Sequence, residues 1–315
     1  MEINNNNYIC PYTNEQIDRY IDRIGLPKEL RRIENPPRDL SLLTTLKTHH
    51  LATFPFESVS LHYSTDRKVS LNPFDLYRKF LDQERGGYCM EQNWLFLHML
   101  KGLGFDAYPT GARVRSRRDG VPFGDFLGWV HMVNIVTLEG DTNHYMVDVG
   151  FGGDGPTKPL PLSRNVITRN IATQDLRLLC EALPRALHRG QQTWIYQTRN
   201  QPSLDWVDTY CFSELEFLPQ DFEVMNYYTS SHPTSPMANI VIAVKFLRDG
   251  TGLIYGKEML AGAELKRNTG GRTELIKTCK IESERLEILK TIFNIQLNEE
   301  EQQAIRGRAS ALAQE

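Results

Sequence analysis

The spacing of apolar residues changes twice along this chain, and that change restricts the possible folds more than any other feature. From Asn14 to about Leu103 the apolar residues recur at helical spacing. From Tyr108 to about Phe217, β-branched and aromatic residues form short runs separated by Gly, Pro, Asn and Asp, as strands and turns do. Beyond Pro219, strands and charged helices are mixed. The sequence therefore predicts an α+β protein of three domains, helical, β and mixed, over residues 1–107, 108–217 and 218–315.

Local signals predict where several elements begin and end. Thr13 precedes Gln16 by three residues, which is the spacing of a helix capping box. A second helix is expected from about Ser41 and a third over Cys89–Leu103. In the mixed zone we expect two strands and then two helices, at Ile240–Phe246, Gly252–Tyr255, Ser283–Phe293 and Glu299–Leu312.

Composition excludes several classes of function. The chain has 315 residues, with 36 Lys and Arg against 39 Asp and Glu and a formal net charge of −3, which argues against a nucleic-acid-binding protein. Its five cysteines include no CxxC pair, so neither a zinc ribbon nor a secreted disulfide scaffold is expected. The first residues lack the basic start and apolar stretch of a signal peptide, and the apolar runs are too short to span a bilayer. We therefore expect a cytoplasmic protein with free thiols, no membrane contact and no metal site.

One of the five cysteines has surroundings suited to a nucleophile. Cys89 lies in the segment Arg85-Gly-Gly-Tyr-Cys-Met-Glu-Gln-Asn93, where two glycines permit a tight bend and an apolar helix follows. In the first turn of that helix the positive end of the helix dipole favours the thiolate, the nucleophilic form, and Arg85 nearby acts in the same direction. The alternative is that Cys89 is a small buried hydrophobe at the start of a core helix.

A cysteine nucleophile needs a base and a group that orients the base, and the sequence offers both. His131 opens one strand-like run and Asp148 closes another, with a turn-like segment at Glu139–Asn143 between them, so the pair is predicted to form a β-hairpin. Asp148 lies between two valines, where an unpaired charge is costly to bury, which makes His131 its expected partner. A four-residue loop puts the two side chains on one face within reach of each other, and a five-residue loop puts them on opposite faces. The sequence leaves that register open.

Glycines follow the second run directly. The segment consists of Gly150, Phe151, Gly152 and Gly153. Because glycine has no side chain, backbone amides in such a segment can approach an anionic ligand closely. The same residues could equally form a flexible turn at the exit of the hairpin, and both interpretations stay open.

Together these segments resemble the arylamine N-acetyltransferase family. Arg85–Asn93 has the RGGxCxExN pattern of that family, and His131-Met-Val and Val147–Gly152 match its other two triad segments in the same order. Pro55–Ser58 is similar to the family's PFEN segment, although its last residue is Ser where the family usually has Asn. A stretch over Phe222–Pro236 also agrees, so the resemblance covers most of the chain.

The resemblance implies a three-domain fold with an N-terminal helical bundle, a central β-barrel and a C-terminal α/β lid. It implies a cysteine-protease-like catalytic triad of Cys89, His131 and Asp148. It also implies that Arg85 pairs with Glu57 and so supports the nucleophile segment. The residues expected to shape the coenzyme A cleft are Gly150, Phe151, Gly152 and Gly153.

The activity implied by the resemblance is transfer of an acetyl or other short acyl group from acyl-coenzyme A to an arylamine, arylhydroxylamine or hydrazine, as in xenobiotic metabolism. The reaction is expected to be ping-pong through an acyl-cysteine intermediate. Acetyl-CoA, or propionyl- or malonyl-CoA, is the expected co-substrate, with no tightly bound cofactor. Phe151 is expected either to form part of the apolar wall for the arene or to pack within the hairpin.

Two alternatives to an acetyltransferase remain open. The first is a malonyl-CoA-dependent enzyme, because the chain looks like the fungal branch of the family, some members of which use malonyl-CoA. The Arg113–Gly128 segment is expected to be a solvated loop, but it carries four arginines that could contact coenzyme phosphates or the carboxylate of an acidic acyl group: Arg113, Arg115, Arg117 and Arg118. The second alternative is amide acyl transfer of the transglutaminase or cysteine-protease type.

Overall fold

The computed structural model describes residues 9–31, 36–118 and 120–314. The helices are α1 Asn14–Arg23, α2 Lys28–Arg31, α3 Leu40–Thr53, α4 Pro73–Tyr77, α5 Cys89–Gly102, α6 Pro219–Ser231, α7 Pro236–Asn239, α8 Glu282–Thr291 and α9 Glu299–Ala304. The strands are β1 Phe56–Glu57, β2 Asp106–Arg118, β3 Val121–Phe126, β4 His131–Thr137, β5 His144–Val147, β6 Leu160–Pro161, β7 Thr168–Arg169, β8 Asp175–Glu181, β9 Thr193–Arg199, β10 Val207–Phe212, β11 Ile242–Arg248, β12 Ile254–Ala261, β13 Glu264–Thr269 and β14 Arg272–Thr278.

The middle of the chain folds into a barrel-like sheet. Within the described ranges this sheet has nine strands in the order β6-β5-β4-β2-β10-β9-β8-β7, and β3 pairs with β2 beside that path. Just past β6, Arg164 forms an isolated bridge with Leu178 of β8, which brings the two ends of the sheet together and nearly closes it. The interior is filled by aliphatic and aromatic side chains, including Val133, Ile135, Leu176, Leu178, Tyr196, Tyr210 and Phe212.

Helix α5 lies between the other N-terminal helices and the barrel. Residues 89–100 are all buried, as expected for a helix that is apolar on nearly every side. It packs against α1 and α4 on one side and against β2 and β4 on the other. Strand β4 is therefore covered on both faces, with Met132 and Val136 in the α5 core and Val133 and Ile135 inside the barrel. Even so, none of the helices in the described ranges is long and apolar enough to cross a membrane.

A second sheet joins the beginning and the end of the chain. Its strand order is β1-β11-β12-β13-β14, and Phe56 of β1 pairs with Val244 of β11. Ser58, the residue that departs from the usual family segment, strengthens this contact: its Oγ donates to the Ile240 carbonyl at 3.1 Å and accepts from the Ile242 amide at 3.0 Å. The short strand after α3 thus belongs to the C-terminal sheet, and the domain limits at residues 107 and 217 remain a prediction.

The predicted elements are largely present, with differences where polar residues form strands. The side chains of Thr13 and Gln16 form the predicted capping box at the start of α1, and α5 begins at Cys89. The segment Arg113–Gly128, expected to be a solvated loop, instead contains paired strands β2 and β3. The hairpin of β13 and β14 was not predicted, because its residues are mostly polar and lack the alternation of a half-buried strand.

The helix predicted over Glu299–Leu312 is wrong in its second half. Helix α9 ends at Ala304, and Gly307 has a φ of +76°, a left-handed conformation through which a helix does not continue. Beyond it the chain packs against the segment that follows β1, where Nη1 of Arg308 donates to the Leu61 carbonyl at 3.0 Å.

Close backbone packing at Gly86 generates a stability prediction. Gly86 and Gly87 run beside β1, and the Glu57 amide donates to the Gly87 carbonyl at 2.9 Å. A Cβ on Gly86 would lie 1.8 Å from the Pro55 carbonyl oxygen, a backbone atom that cannot rotate away. Gly86→Ala should therefore lower the free energy of unfolding by about 2 kcal/mol or more, as measured by urea denaturation.

Gly128→Ala is the matched control for this prediction. Gly128 is exposed, and its added Cβ would meet no atom of the described residues within 4 Å. Equal unfolding free energies for the two variants would contradict the packing argument.

Candidate active site

The candidate nucleophile is the first residue of helix α5. Tyr88 precedes it as the N-cap, and the Tyr88 amide donates to Oε2 of Glu91 at 2.9 Å, which closes the start of the helix. The Cys89 Sγ lies 3.9 Å from the carbonyl oxygen of Val130, the residue immediately before His131. The structure therefore places the thiol beside the start of strand β4.

The electrostatics of Cys89 differ from the sequence expectation. Burial raises the pKa of the thiol, the charge of Asp148 raises it further, and the Met90 amide at the helix start lowers it by less. Arg85, expected to favour the thiolate, instead bonds to Glu57, with Nη2 3.0 Å from Oε1. Loss of water thus outweighs the helix dipole, and a thiolate at this position needs a neighbouring base to take the proton.

The register of the β4–β5 hairpin brings His131 and Asp148 together. Asn134 lies opposite Val147 and Thr137 opposite His144, which is the register of a four-residue loop. Nε2 of His131 is 2.7 Å from Oδ2 of Asp148. The condition that the sequence left open is therefore met.

The Asp148 carboxylate is fully enclosed and hydrogen-bonded on both oxygens. Oδ2 faces His131, and Oδ1 accepts from Nδ2 of Asn93 at 3.0 Å and from the Gly150 amide at 2.8 Å. Burial alone would raise the pKa of this carboxyl, but the His131 ring and these donors outweigh it and hold the pKa below its usual value. Asp148 is thus kept charged, and it fixes one nitrogen of the imidazole.

Asn93 links the three parts of the site and was not predicted as a site residue. Its Nδ2 donates to Asp148, to the Met132 carbonyl at 2.7 Å and to the Cys89 carbonyl at 3.2 Å, and its Oδ1 accepts from the Val149 amide at 2.9 Å. One side chain thereby ties helix α5 to strand β4 and to the loop after β5. A sequence signal existed, because Asn93 lies four residues after Cys89 and so on the same helix face.

The segment after Asp148 packs directly on the candidate nucleophile, Cys89. A Cβ on Gly150 would lie 2.4 Å from the Cys89 carbonyl oxygen and 2.6 Å from Nδ2 of Asn93, so only glycine lets this loop come so close. The Phe151 ring lies 5.2 Å from the His131 ring and 4.8 Å from the Tyr210 ring, centroid to centroid.

The remaining two residues of the predicted coenzyme segment face the second sheet. A Cβ on Gly152, whose φ is +76°, would meet the Phe56 ring at 3.4 Å. A Cβ on Gly153 would lie 3.3 Å from the sulfur of Met259. The loop therefore lies between helix α5, the barrel and the second sheet.

Four charged side chains support the segment before Cys89. Oε1 of Glu57 is 3.0 Å from Nη2 of Arg85 and 3.7 Å from Nζ of Lys79, and that ammonium also lies 2.7 Å from Oε1 of Glu91. Although burial raises the pKa of Glu57, the two cations and the Val59 amide outweigh it, so that pKa is lowered. Nη1 of Arg85 also lies 3.6 Å from Oε1 of Glu301 on α9, so an ion-pair network holds the start of α5 to β1 and reaches helix α9.

Comparison with known proteins identifies the family. A family model described as N-acetyltransferase matches residues 39–302, well over half of the chain. The chain belongs to the arylamine N-acetyltransferase family.

Relatives of this family member include two kinds of acyltransferase. The N-malonyltransferase FDB2 of Fusarium pseudograminearum is 32% identical and covers 93% of this chain and 92% of its own length. The arylamine N-acetyltransferase of Mycolicibacterium smegmatis is 29% identical and covers 82% of this chain and 84% of its own length. The solved structure of the Mycobacterium marinum arylamine N-acetyltransferase in complex with CoA matches with a TM-score of 0.73 at 26% identity, over 92% of this chain and 98% of that one.

These matches confirm the resemblance and the multi-domain fold of helices, barrel-like sheet and second sheet. This family member is therefore an acyltransferase whose co-substrate is an acyl-CoA. An acyl-CoA is a thioester, so the matches favour a thioester donor over the amide donor of the transglutaminase-like alternative. Across the parts of the chain that the structure describes, no three His, Cys, Asp or Glu side chains come together in a way that could hold a metal ion.

A buried lysine near the site was also missed by the sequence analysis. Lys47 of helix α3 has no solvent exposure, and its Nζ donates to the Lys158 carbonyl at 3.1 Å. Burial lowers the pKa of this amine to about 7, while the charge of Asp148 acts in the opposite direction. The available signal was helical spacing, because Lys47 lies four residues after Leu43 and four before Leu51 and so on the same helix face.

The lowered pKa of Lys47 predicts a pH-dependent penalty on folding. Because the folded pKa of about 7 lies below the ordinary 10.5, the folded chain binds fewer protons between these values, and the penalty shrinks as the pH rises. Lys47→Met should therefore stabilise the protein, and the gain should be about 2 kcal/mol larger at pH 7 than at pH 9 in urea titrations.

Lys68→Met is the control, since Lys68 is exposed. Its effect should be the same at both pH values. A Lys47→Met effect that does not change between pH 7 and pH 9 would show that the amine does not titrate in this range.

Proposed function

We propose that this protein is an acyl-CoA-dependent N-acyltransferase that works by a ping-pong mechanism through an acyl-Cys89 intermediate. The observation that carries the proposal is the connected site in which Asn93 bonds both to the Cys89 carbonyl and to Asp148, while Asp148 bonds to His131. The proposed nucleophile, base and orienting group thus share one hydrogen-bonded network, and the Cys89 sulfur lies 3.9 Å from the carbonyl that precedes His131, which supports cysteine acyl transfer.

In the first half-reaction, His131 acts as the base. Asp148 holds Nε2 of the ring, so the proton of the Cys89 thiol passes to Nδ1, and the imidazolium that forms is stabilised by the buried carboxylate. The thiolate attacks the thioester carbon, a carbon–sulfur bond to Cys89 forms, and the bond to coenzyme A breaks. The departing coenzyme sulfur takes the electron pair and the proton from His131. The product of this half-reaction is an acyl-enzyme with neutral His131.

In the second half-reaction, an amine attacks the acyl carbon. The carbon–sulfur bond to Cys89 breaks, and His131 passes the amine proton to the departing thiolate, which restores the thiol. An aromatic amine, hydroxylamine or hydrazine suits this step because it is largely unprotonated near neutral pH. The Phe151 ring beside His131 supplies an apolar surface for the arene. Such acceptors are consistent with xenobiotic metabolism, and the five free cysteines fit a cytoplasmic enzyme.

For the acyl donor we propose malonyl-CoA, with acetyl-CoA as the second candidate. The N-malonyltransferase relative aligns over 93% of this chain at 32% identity, against 82% at 29% for the mycobacterial acetyltransferase relative. The family resemblance put acetyl-CoA first, and the N-malonyltransferase relative supports the alternative, malonyl-CoA. The segment formed by Gly150, Phe151, Gly152 and Gly153 is proposed to shape the cleft for the coenzyme, and no tightly bound cofactor is required.

The intermediate can be observed directly. Incubation with malonyl-CoA in the absence of amine should add the mass of one malonyl group to the protein by intact mass spectrometry, and that adduct should be absent in Cys89→Ala. Cys211→Ala is the control, because this buried barrel cysteine lies outside the proposed site.

Asp148→Asn should reduce kcat by on the order of 10³-fold, because it removes the charge that stabilises the imidazolium. Full acyl-transfer activity in Cys89→Ala would contradict the proposed mechanism.

The donor is decided by a panel of acetyl-, propionyl- and malonyl-CoA assayed with one aromatic amine and coenzyme A release as the readout. We expect kcat/KM for malonyl-CoA to exceed that for acetyl-CoA by about 10-fold or more, which corresponds to about 1.4 kcal/mol. A preference for acetyl-CoA would instead make this an acetyltransferase with the same mechanism.

A further inference from the structure

Two cations share one carboxylate at the edge of the candidate site. Nη1 of Arg117 lies 2.5 Å from Oδ2 of Asp154, and Nζ of Lys257 lies 3.2 Å from Oδ1. Lys257 Nζ also donates to the Gly153 carbonyl, so the cluster is attached to the loop that follows Asp148. With two positive groups and one negative group, the cluster carries one positive charge in excess.

Part of the Arg117 guanidinium is available for a ligand. Both of its hydrogen bonds, to Asp154 and to the Gly120 carbonyl at 2.8 Å, are made by Nη1. Among the described residues, Nη2 and Nε have no protein acceptor. These two nitrogens form the edge of the guanidinium that can bind a carboxylate through two parallel hydrogen bonds. The side chain is 32% exposed, so part of it can be reached from solvent.

The Arg117 guanidinium and the His131 ring both lie beside the same aromatic ring, that of Phe151. The guanidinium carbon of Arg117 lies 5.7 Å from the centre of the Phe151 ring, and the same ring lies 5.2 Å from the His131 ring. An acyl group on Cys89 must lie beside His131. In a malonyl group the free carboxylate is two carbon–carbon bonds, about 2.5 Å, beyond the thioester carbon, and an acetyl group ends before that point.

The other three arginines of this stretch are engaged elsewhere. Arg113 stacks on Trp129, with its guanidinium carbon 4.0 Å from the ring centre. Arg115 donates to backbone carbonyls of β3 and β10, and Arg118 lies over Phe123 of the hairpin at 4.5 Å. The structure therefore singles out one of the four arginines that the sequence could not rank.

We infer that Arg117, supported by Lys257, binds the free carboxylate of an acidic acyl donor and thereby makes this site selective for malonyl over acetyl thioesters. The inference rests on the proposed acyl-CoA function. Asp154 holds the two cations in place, and a charged carboxylate from the donor satisfies the excess positive charge. An acetyl group offers nothing to bind there, so selectivity follows from one charge-assisted contact.

The test measures kcat/KM for malonyl-CoA and for acetyl-CoA with one aromatic amine. Arg117→Met should lower the malonyl value by on the order of 30-fold or more, because the carboxylate loses its partner in a partly desolvated site, and should change the acetyl value by less than about 3-fold. Arg117→Lys should give a kcat/KM for malonyl-CoA between those of the wild type and Arg117→Met, since it keeps the charge and loses the bidentate contact. Arg118→Met, on the same hairpin, is the control and should leave both values unchanged.

Asp154→Asn separates carboxylate recognition from a purely structural ion pair. If Arg117 only anchored the loop through Asp154, then Asp154→Asn and Arg117→Met would each lower kcat/KM for malonyl-CoA and for acetyl-CoA by the same factor. The ratio of the two values would then stay unchanged. We expect the malonyl-to-acetyl ratio to fall in Arg117→Met and to rise in Asp154→Asn, because the Asn side chain keeps a hydrogen-bond acceptor for the two cations and removes the negative charge that competes with the donor carboxylate.

Different results would overturn the proposed malonyl-CoA donor and the proposed role of Arg117. A wild-type enzyme that uses acetyl-CoA but not malonyl-CoA overturns both the proposed donor and this inference. A wild-type enzyme that prefers malonyl-CoA, together with an Arg117→Met variant that keeps the same ratio within about 3-fold, leaves the donor in place and overturns the role of Arg117.

Discussion

The Asp148 carboxylate is 1% exposed, and the geometry of the candidate site follows from the need to compensate that buried charge. An unpaired carboxylate at this depth would be protonated or would destabilise the fold by several kcal/mol. Its partners come from three places: His131 at the start of β4, Asn93 on α5 and the amide of Gly150 in the following loop. Each partner requires a particular approach of its element, so a single charge determines how helix, strand and loop meet.

Compensation of buried charge also positions the segment before Cys89, the candidate nucleophile. Glu57 and Glu91 are buried against the cations of Arg85 and Lys79, and these ion pairs hold the start of α5 against β1. Strand β1 pairs in turn with β11. The position of Cys89 is therefore coupled to the second sheet through hydrogen bonds and ion pairs, while the apolar core on either side of α5 supplies the burial that makes these polar contacts strong.

Burial favours the neutral form of both the Cys89 thiol and the Asp148 carboxyl, and their neighbours decide the outcome. It raises the pKa of the Cys89 thiol, and it leaves Asp148 charged only because donors surround that carboxylate. A nucleophile in such a place is activated by transfer of its proton to a neighbouring base and not by a low intrinsic pKa. The Arg117–Asp154–Lys257 cluster carries one positive charge in excess beside the loop that follows Asp148, which suits the proposed donor because that donor carries negative charge.

Features of this protein that depend on neighbours in sequence could be predicted without the structure. The helix start at Cys89 follows from two glycines and the apolar run behind them, and the barrel region follows from short β-branched runs and turns. The candidate trio of Cys89, His131 and Asp148 follows from residue chemistry and family motifs. Only the tertiary structure decided the hairpin register, because loops of four and five residues are equally compatible with the local sequence and differ only in which face they bury. It alone placed Lys47 near Asp148 and separated Arg117 from the other arginines, since such long-range contacts are set by how layers pack and leave no periodic signal in the chain.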